Sequence, residues 1–324
     1  MIKRKLAGIF LATTMIMGTL AGCGDSGNSS TAAKVNTDES AQGKVLNIYC
    51  WNTEFQDRFK YFEKSGKIPS DVKVNFVVTP NENNAYQNAL DAALLKQNDA
   101  PADEKIDIFL VEADYALKYV NSDYTLDVIN DIGLTKDDVA DQYQYTKDIV
   151  TDSNGNQKGT TWQATPGLFA YRRSIAKDVL GTDDPDKVQE ALSTWDKFNA
   201  VAEKAAAKGY KMLSGYDDSY RVFSNNVSAP WVDSNNKIVI DPNIMKWVDD
   251  SKELVDAGET GTYDMWSDDW KKGFYPEGNV FCYFGPAWLV NFSMAADTEG
   301  SIGYNGGWGA TEGPQGFFWG GTWI

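Results

Sequence analysis

An α/β protein of two lobes is what the sequence predicts, and three observations carry the prediction. The chain has 324 residues, more than one ordinary core uses and about right for two domains. After residue 44, apolar runs and helix-period segments alternate in the order βαβαβ, the signature of an open sheet covered by helices. Those runs are apolar on both faces, as strands of a buried parallel sheet are.

The N-terminus comes first. Lys3, Arg4 and Lys5 precede an apolar run over 6–20, the charged-then-apolar pattern of a secretory signal, too short to read as a membrane span. The run ends in Leu20-Ala21-Gly22-Cys23, which resembles the bacterial lipobox, whose cysteine is acylated after cleavage. Residues 1–22 are thus read as signal peptide and Cys23 as the lipidation site. Residues 23–43 are small and polar, without an aromatic ring, and read as a flexible tether. Fully extended, it reaches up to roughly 60 Å from a bilayer.

Residues 45–50 read as the first strand, and 53–64 as a helix with Phe55, Phe59 and Phe62 at helical spacing and Thr53 with Gln56 as a capping box. A β-branched run over 72–78 is the second strand. Tyr86, Leu90, Ala93 and Leu94 mark the face of a helix over 85–97, and 106–111 is a third, continuous strand. Two turn-rich segments, Asp152-Ser153-Asn154-Gly155-Asn156 and Asp233-Ser234-Asn235-Asn236, read as hairpins. The first lacks both the glycine and the closing acid of a calcium loop. Ser193 with Asp196 opens a helix that stops at Gly209, and Asp241-Pro242 opens another that stops at Gly258. The last residues, Phe317-Phe318-Trp319-Gly320-Gly321-Thr322-Trp323-Ile324, read as a buried strand.

Composition narrows the function. The chain has 30 basic and 46 acidic residues, formal charge −16; loss of Lys3, Arg4 and Lys5 leaves 27 against 46, or −19. Such a field repels nucleic acid. There is no histidine, which removes histidine-based nucleophile relays and histidine-ligated metals. Cys50 and Cys282 each sit in an apolar segment and read as buried free thiols; no metal and no cofactor is expected.

Ligands of open α/β sheets bind beyond the carboxyl ends of the strands. There the sequence places Trp51, Asn52 and Glu54 after the first strand, and Glu112 and Asp114 after the third. Indole faces stack on the C–H faces of sugar rings, and carboxylates and amides accept from hydroxyls. Helix capping is the alternative for each polar residue here. The 11 Trp, 16 Tyr and 15 Phe exceed what two cores need and favour a ring-lined cleft.

Together, Leu20 to Cys23, Trp51-Asn52, Thr194-Trp195-Asp196-Lys197-Phe198, Pro166 to Tyr171 and Phe284-Gly285-Pro286-Ala287-Trp288 resemble the extracellular solute-binding proteins of bacterial ABC sugar importers, the group that includes maltose-binding protein. The resemblance implies a two-lobed, periplasmic-binding-protein-like fold closing on its ligand, with chain crossings near 160–166 and 303–309. It implies an N-terminal lobe of 44–160 plus 305–324 and a C-terminal lobe of 161–304. Trp51, Asn52, Glu54, Glu112 and Asp114 would line one lobe, Gln163, Tyr220, Trp231 and Trp288 the other, and Trp319 would sit near the return strand. It further implies a monomer, not an enzyme, anchored to the outside of the cell membrane, which hands a neutral sugar or oligosaccharide to a permease served by a separate ATPase. Family members continue through further helices, so the second half is expected to be incomplete, and Arg172-Arg173 departs from the pair usual after the tyrosine. Two rivals stay open: a surface-anchored glycoside hydrolase, and a peptide- or amine-binding transport protein, which the acidic balance suits.

Overall fold

The computed structural model describes residues 42–294 and 298–324. The signal segment 1–22, Cys23 and nearly all of the expected tether lie outside the described residues.

The first lobe is built on three parallel strands. β1 (Val45–Cys50) is central, flanked by β2 (Lys73–Val78) and β3 (Ile108–Phe109). The register pairs Ile48 with both Phe76 and Ile108. α1 (Glu54–Glu63) joins β1 to β2, and α2 (Ala85–Leu94) leads on to β3. Ile48, Cys50, Phe55 and Leu110 fill one face of the sheet, while Tyr86, Leu90, Leu94 and Tyr119 fill the other. Burial on both faces explains why these strands lack polar alternation. Asn47 is the polar exception, and its amide donates to the carbonyls of Asp103 and Lys105 at 2.9 and 2.8 Å.

The continuous third strand expected over 106–111 is two. At Leu110 the chain changes partner, and β4 (Val111–Glu112) pairs antiparallel with a strand from the far end of the chain instead of with β1. α3 (Ala113–Val120) and α4 (Gln144–Ile149) complete the lobe.

The second lobe centres on β5 (Gly167–Arg172). α5 (Arg173–Leu180), α6 (Pro185–Leu192), α7 (Trp195–Ala206), the short α8 (Tyr220–Ser224), α9 (Pro242–Asp256) and α10 (Asp268–Lys271) lead to β6 (Cys282–Pro286). α11 (Leu289–Phe292), β7 (Trp308–Thr311) and β8 (Thr322–Trp323) follow. The sheet order is β6-β5-β7, all antiparallel. Strand period decides its two faces: Phe169, Tyr171, Cys282 and Phe284 enter a core with Phe198 and Leu192, whereas Ala170 and Tyr283 enter one with Trp270 and Phe274.

Local capping differs from expectation by single residues. Thr53 occupies the N-cap of α1 without a capping bond, and Asn52 Oδ1 accepts from the Glu54 N–H at 3.0 Å. Thr194, not Ser193, caps α7, and Asp241 caps α9 as expected. The two hairpins form only as single bridges, Thr151 with Gln157 and Val232 with Ile238. Cys50 and Cys282 are buried and unpaired. Arg172 and Arg173 donate to the backbone carbonyls of Pro276 and Trp308, tying the loops beside β5 to the sheet.

Two segments run antiparallel between the lobes. Thr161 bridges Trp323 and Pro166 bridges Phe318, and Thr160 exchanges two hydrogen bonds with Ile324 at 3.0 and 2.9 Å. The first crossing thus falls over 160–166, but the return lies at 317–324 rather than 303–309. Trp308–Thr311 is paired to β5 in the second lobe's sheet, whereas Thr322–Trp323 is paired to β4. The reason is register: Ala310 opposite Ala170 and Gly309 opposite Tyr171 give β7 a full edge to pair with before the chain turns back.

Candidate functional site

The crossings floor a cleft whose walls come from both lobes. The cavity is about 670 Å³. From the first lobe come Trp51, Asn52, Glu54, Glu112 and Asp114; from the second, Tyr220, Trp266 and Trp288; from the crossings, Gln163, Trp319 and Thr322.

Trp51 follows directly from the end of β1, and its ring is held edge-on by Tyr86 at 5.5 Å and Tyr115 at 6.4 Å. Tyr86 is itself pinned, its hydroxyl donating to the Leu110 carbonyl at 2.6 Å. Glu112 ends β4 and is the N-cap residue of α3; Asp114 sits in that helix's first turn. Burial, reinforced by the Asp114 charge and opposed by Arg221, pushes Glu112 up to about 7. Arg221 of α8 donates to Asp114 from the opposite lobe, and its guanidinium lies 5.7 Å over the Trp319 ring. Gln163 braces the crossings, its Oε1 accepting from the Thr322 N–H at 2.9 Å.

The apolar wall is a tryptophan cluster. Trp266 stacks on Trp288 at 5.6 Å and 23°, meets Trp319 edge-on at 6.0 Å, and lies 5.2 Å from the fully buried Trp270. Its φ is +73°, a left-handed conformation that a bulky side chain adopts only under compulsion. The ring behind it is fixed. Asp218, wholly buried, accepts from Trp270 Nε1 at 2.6 Å and from the N–H groups of Ser214 and Gly215 at 3.0 Å each, which locks Trp270. Gly320 (φ +78°) carries the return strand against Trp288, where a Cβ would lie 2.9 Å from the indole nitrogen.

Nine of the ten residues singled out from sequence line this cavity. Trp231 does not: it stands 50% exposed at the base of the 232–238 hairpin, outside the cleft. A tryptophan beside a turn signal carries no information about which way the hairpin faces. The cavity also includes Asp217, Arg221, Asp264, Met265, Trp266, Phe292, Gly321 and Thr322, none of which the sequence singles out. Most lie in loops or short helices without periodicity; a tryptophan between Met265 and Ser267 offered only its residue type. Asp217 Oδ1 is buried without a hydrogen-bond partner. Burial, with a smaller push from Asp264, raises the Asp217 carboxyl above its usual range.

Among the described residues, no three His, Cys, Asp or Glu side chains are grouped to hold a metal, and no helix is long and apolar enough to cross a membrane. The arrangement is suited to holding a polar ring compound between indoles and carboxylates. Fold and site together define a two-lobed binding protein with its ligand cleft between the lobes.

The chain belongs to the bacterial extracellular solute-binding proteins, whose family profile matches residues 57–324. That membership carries an extracytoplasmic location and a binding rather than a catalytic family background. Among solved structures, an extracellular solute-binding protein of family 1 is similar with a TM-score of 0.70 at 17% identity, covering 87% of this chain and 70% of that one. A sugar-binding protein from Xanthomonas citri gives 0.62 at 15%, covering 86% and 70%. The galacto-N-biose- and lacto-N-biose-I-binding protein of Bifidobacterium longum gives 0.59 at 16%, covering 89% and 72%. At these identities the likeness establishes the fold. No curated protein matches the chain.

Proposed function

We propose that the chain is a lipid-anchored receptor that captures a neutral sugar or oligosaccharide in the interlobe cleft and delivers it to an ABC permease powered by a separate ATPase. The observation that carries this is the Trp266–Trp288 pair, near-parallel rings lining the same cavity as Asn52, Glu112 and Asp114 of the other lobe. Stacked indoles bury the apolar face of a pyranose while the amide and carboxylates accept from its hydroxyls. Solved relatives of this fold include proteins described with bound lacto-N-biose and β-1,6-galactobiose, which supports a saccharide as the ligand class.

A thermal-shift screen of the full chain against sugars, amino acids and polyamines tests the reading, since a ligand that binds only the folded state raises Tm by mass action. A saccharide hit supports it; a hit confined to amines or amino acids sinks it. The anchor is tested separately, by loss of lipid labelling and of membrane retention in Cys23→Ser.

One observation favours a second reading: Glu112, held near neutrality, has the property a glycosidase acid needs. Release of reducing sugar by purified protein, abolished in Glu112→Gln, would establish hydrolysis in place of capture.

A further inference from the structure

We infer that Asp114 sets the charge selectivity of the cleft: by engaging Arg221 it withdraws that guanidinium from ligand recognition, so that the site admits saccharides without acidic groups and rejects uronates and sugar phosphates. The inference rests on the saccharide reading above and narrows its substrate class.

Five carboxylates line the cavity, those of Glu54, Glu112, Asp114, Asp217 and Asp264, and Arg221 is the only cationic side chain lining it among the described residues. A guanidinium is the side chain best shaped to grip a carboxylate or phosphate through two parallel N–H donors. This one is committed twice, donating to Asp114 Oδ2 and lying over Trp319. Arg58, at the adjoining recess lined by Glu54, Trp162 and Gln163, lies 3.9 Å from Glu54 and 5.9 Å over Trp162. A ligand acid therefore meets five carboxylates, and its donors are neutral ones such as the Asn52 and Gln163 amides.

Asp114→Asn keeps the shape and removes the charge that holds Arg221. The experiment takes the full chain, identifies the tightest saccharide from a thermal-shift panel of neutral disaccharides and uronate-containing ones, and measures by calorimetry that saccharide against its partner differing only at oxidised C6. For wild type the acidic form is expected to bind weaker by at least about tenfold. In Asp114→Asn the gap should close to within about threefold, because the freed guanidinium now donates to the ligand's carboxylate. The double variant Asp114→Asn, Arg221→Gln should restore the gap, which assigns the gain to Arg221 and not to general loss of charge. Melting by circular dichroism confirms that each variant folds. An acidic saccharide that wild type binds as tightly as its neutral partner overturns the inference and leaves the saccharide reading standing. A gap unchanged in Asp114→Asn overturns the role of Asp114. Absence of any saccharide binding, with a non-sugar ligand found, overturns both readings together.

Discussion

Arg221 and Asp114 come from different lobes, one from a five-residue helix in the second and the other from the first turn of α3, and they form an ion pair across the cleft. Both side chains keep about a third of their surface in solvent, at 30% and 37%. Pairs of that exposure contribute little to stability, about 1 kcal/mol or less. Their consequence is local, in the field felt by Glu112.

Glu112 is therefore expected to titrate near neutrality, and to respond in opposite directions to the two partners. Arg221→Gln removes a stabilising cation and should raise its pKa. Asp114→Asn removes a repelling anion and should lower it. Carboxyl-carbon NMR titration of labelled protein reads both. Movement of both variants in the same direction would show that burial alone governs the group.

The same carboxyl gives stability a pH slope. Its folded pKa of about 7 lies above the ordinary 4.5, so the folded state holds the proton more tightly. The contribution is fully present below pH 4.5 and is lost as pH rises to 7 and beyond, on the order of 3 kcal/mol at most. Asp241 acts oppositely: N–H donors from Asn243 and Ser228 lower its carboxyl, so its contribution is fully present above the usual carboxylate range and is lost as pH falls below it. Denaturant melts of wild type and Glu112→Gln from pH 4 to 8.5 isolate the first effect. The variant should gain on wild type as pH rises, and a constant difference would refute the assignment.

Trp288→Ala is expected to weaken saccharide binding by at least tenfold, since one whole stacking face is lost, worth roughly 1.5–3 kcal/mol on the scale of apolar side-chain burial. Trp266→Gly separates function from stability more cleanly. It deletes the partner ring yet relieves the +73° backbone, a strain of about 1–3 kcal/mol. Affinity should fall by a comparable factor while Tm drops less than in Trp288→Ala. Calorimetry and thermal melts on the same samples check the pair.

These residues also show how far sequence reaches. The βαβαβ order of the first lobe was legible because strands buried on both faces and helices packed on one leave different periods, as in Ile48 against Leu90. Strand ends then pointed to Trp51, Asn52, Glu112 and Asp114, which the cavity does bring together. What sequence could not supply was partnership at a distance. The switch at Leu110 from β1 to β8 depends on residues more than two hundred positions away, and nothing in the local run over 106–111 distinguishes its halves. Arg221 carries no motif or spacing signal of its own, and Trp266 acquires its place only from the ring behind it and its left-handed backbone.

Gly320 offers the sharpest test of how the return segment builds the cleft. Its φ of +78° disfavours any side chain, by about 1–2 kcal/mol for an alanine in the left-handed region. Beyond that, the added methyl would lie 2.9 Å from Trp288 Nε1, closer than such atoms tolerate, and a tight 3.3 Å from Pro286 Cβ. The backbone has little freedom to retreat, because Trp319 N–H is bonded to the Thr165 carbonyl at 3.2 Å and Thr322 N–H to Gln163. The indole must move instead. Gly320→Ala is thus expected to lower Tm and to shift Trp288 off its 5.6 Å stack with Trp266. Gly316→Ala, on the same segment with no atom within 4 Å of its added methyl, should do neither. Near-ultraviolet circular dichroism reports the paired indoles and calorimetry the ligand. Equal effects from the two alanines would show that the contact between the return strand and Trp288 does not shape the site.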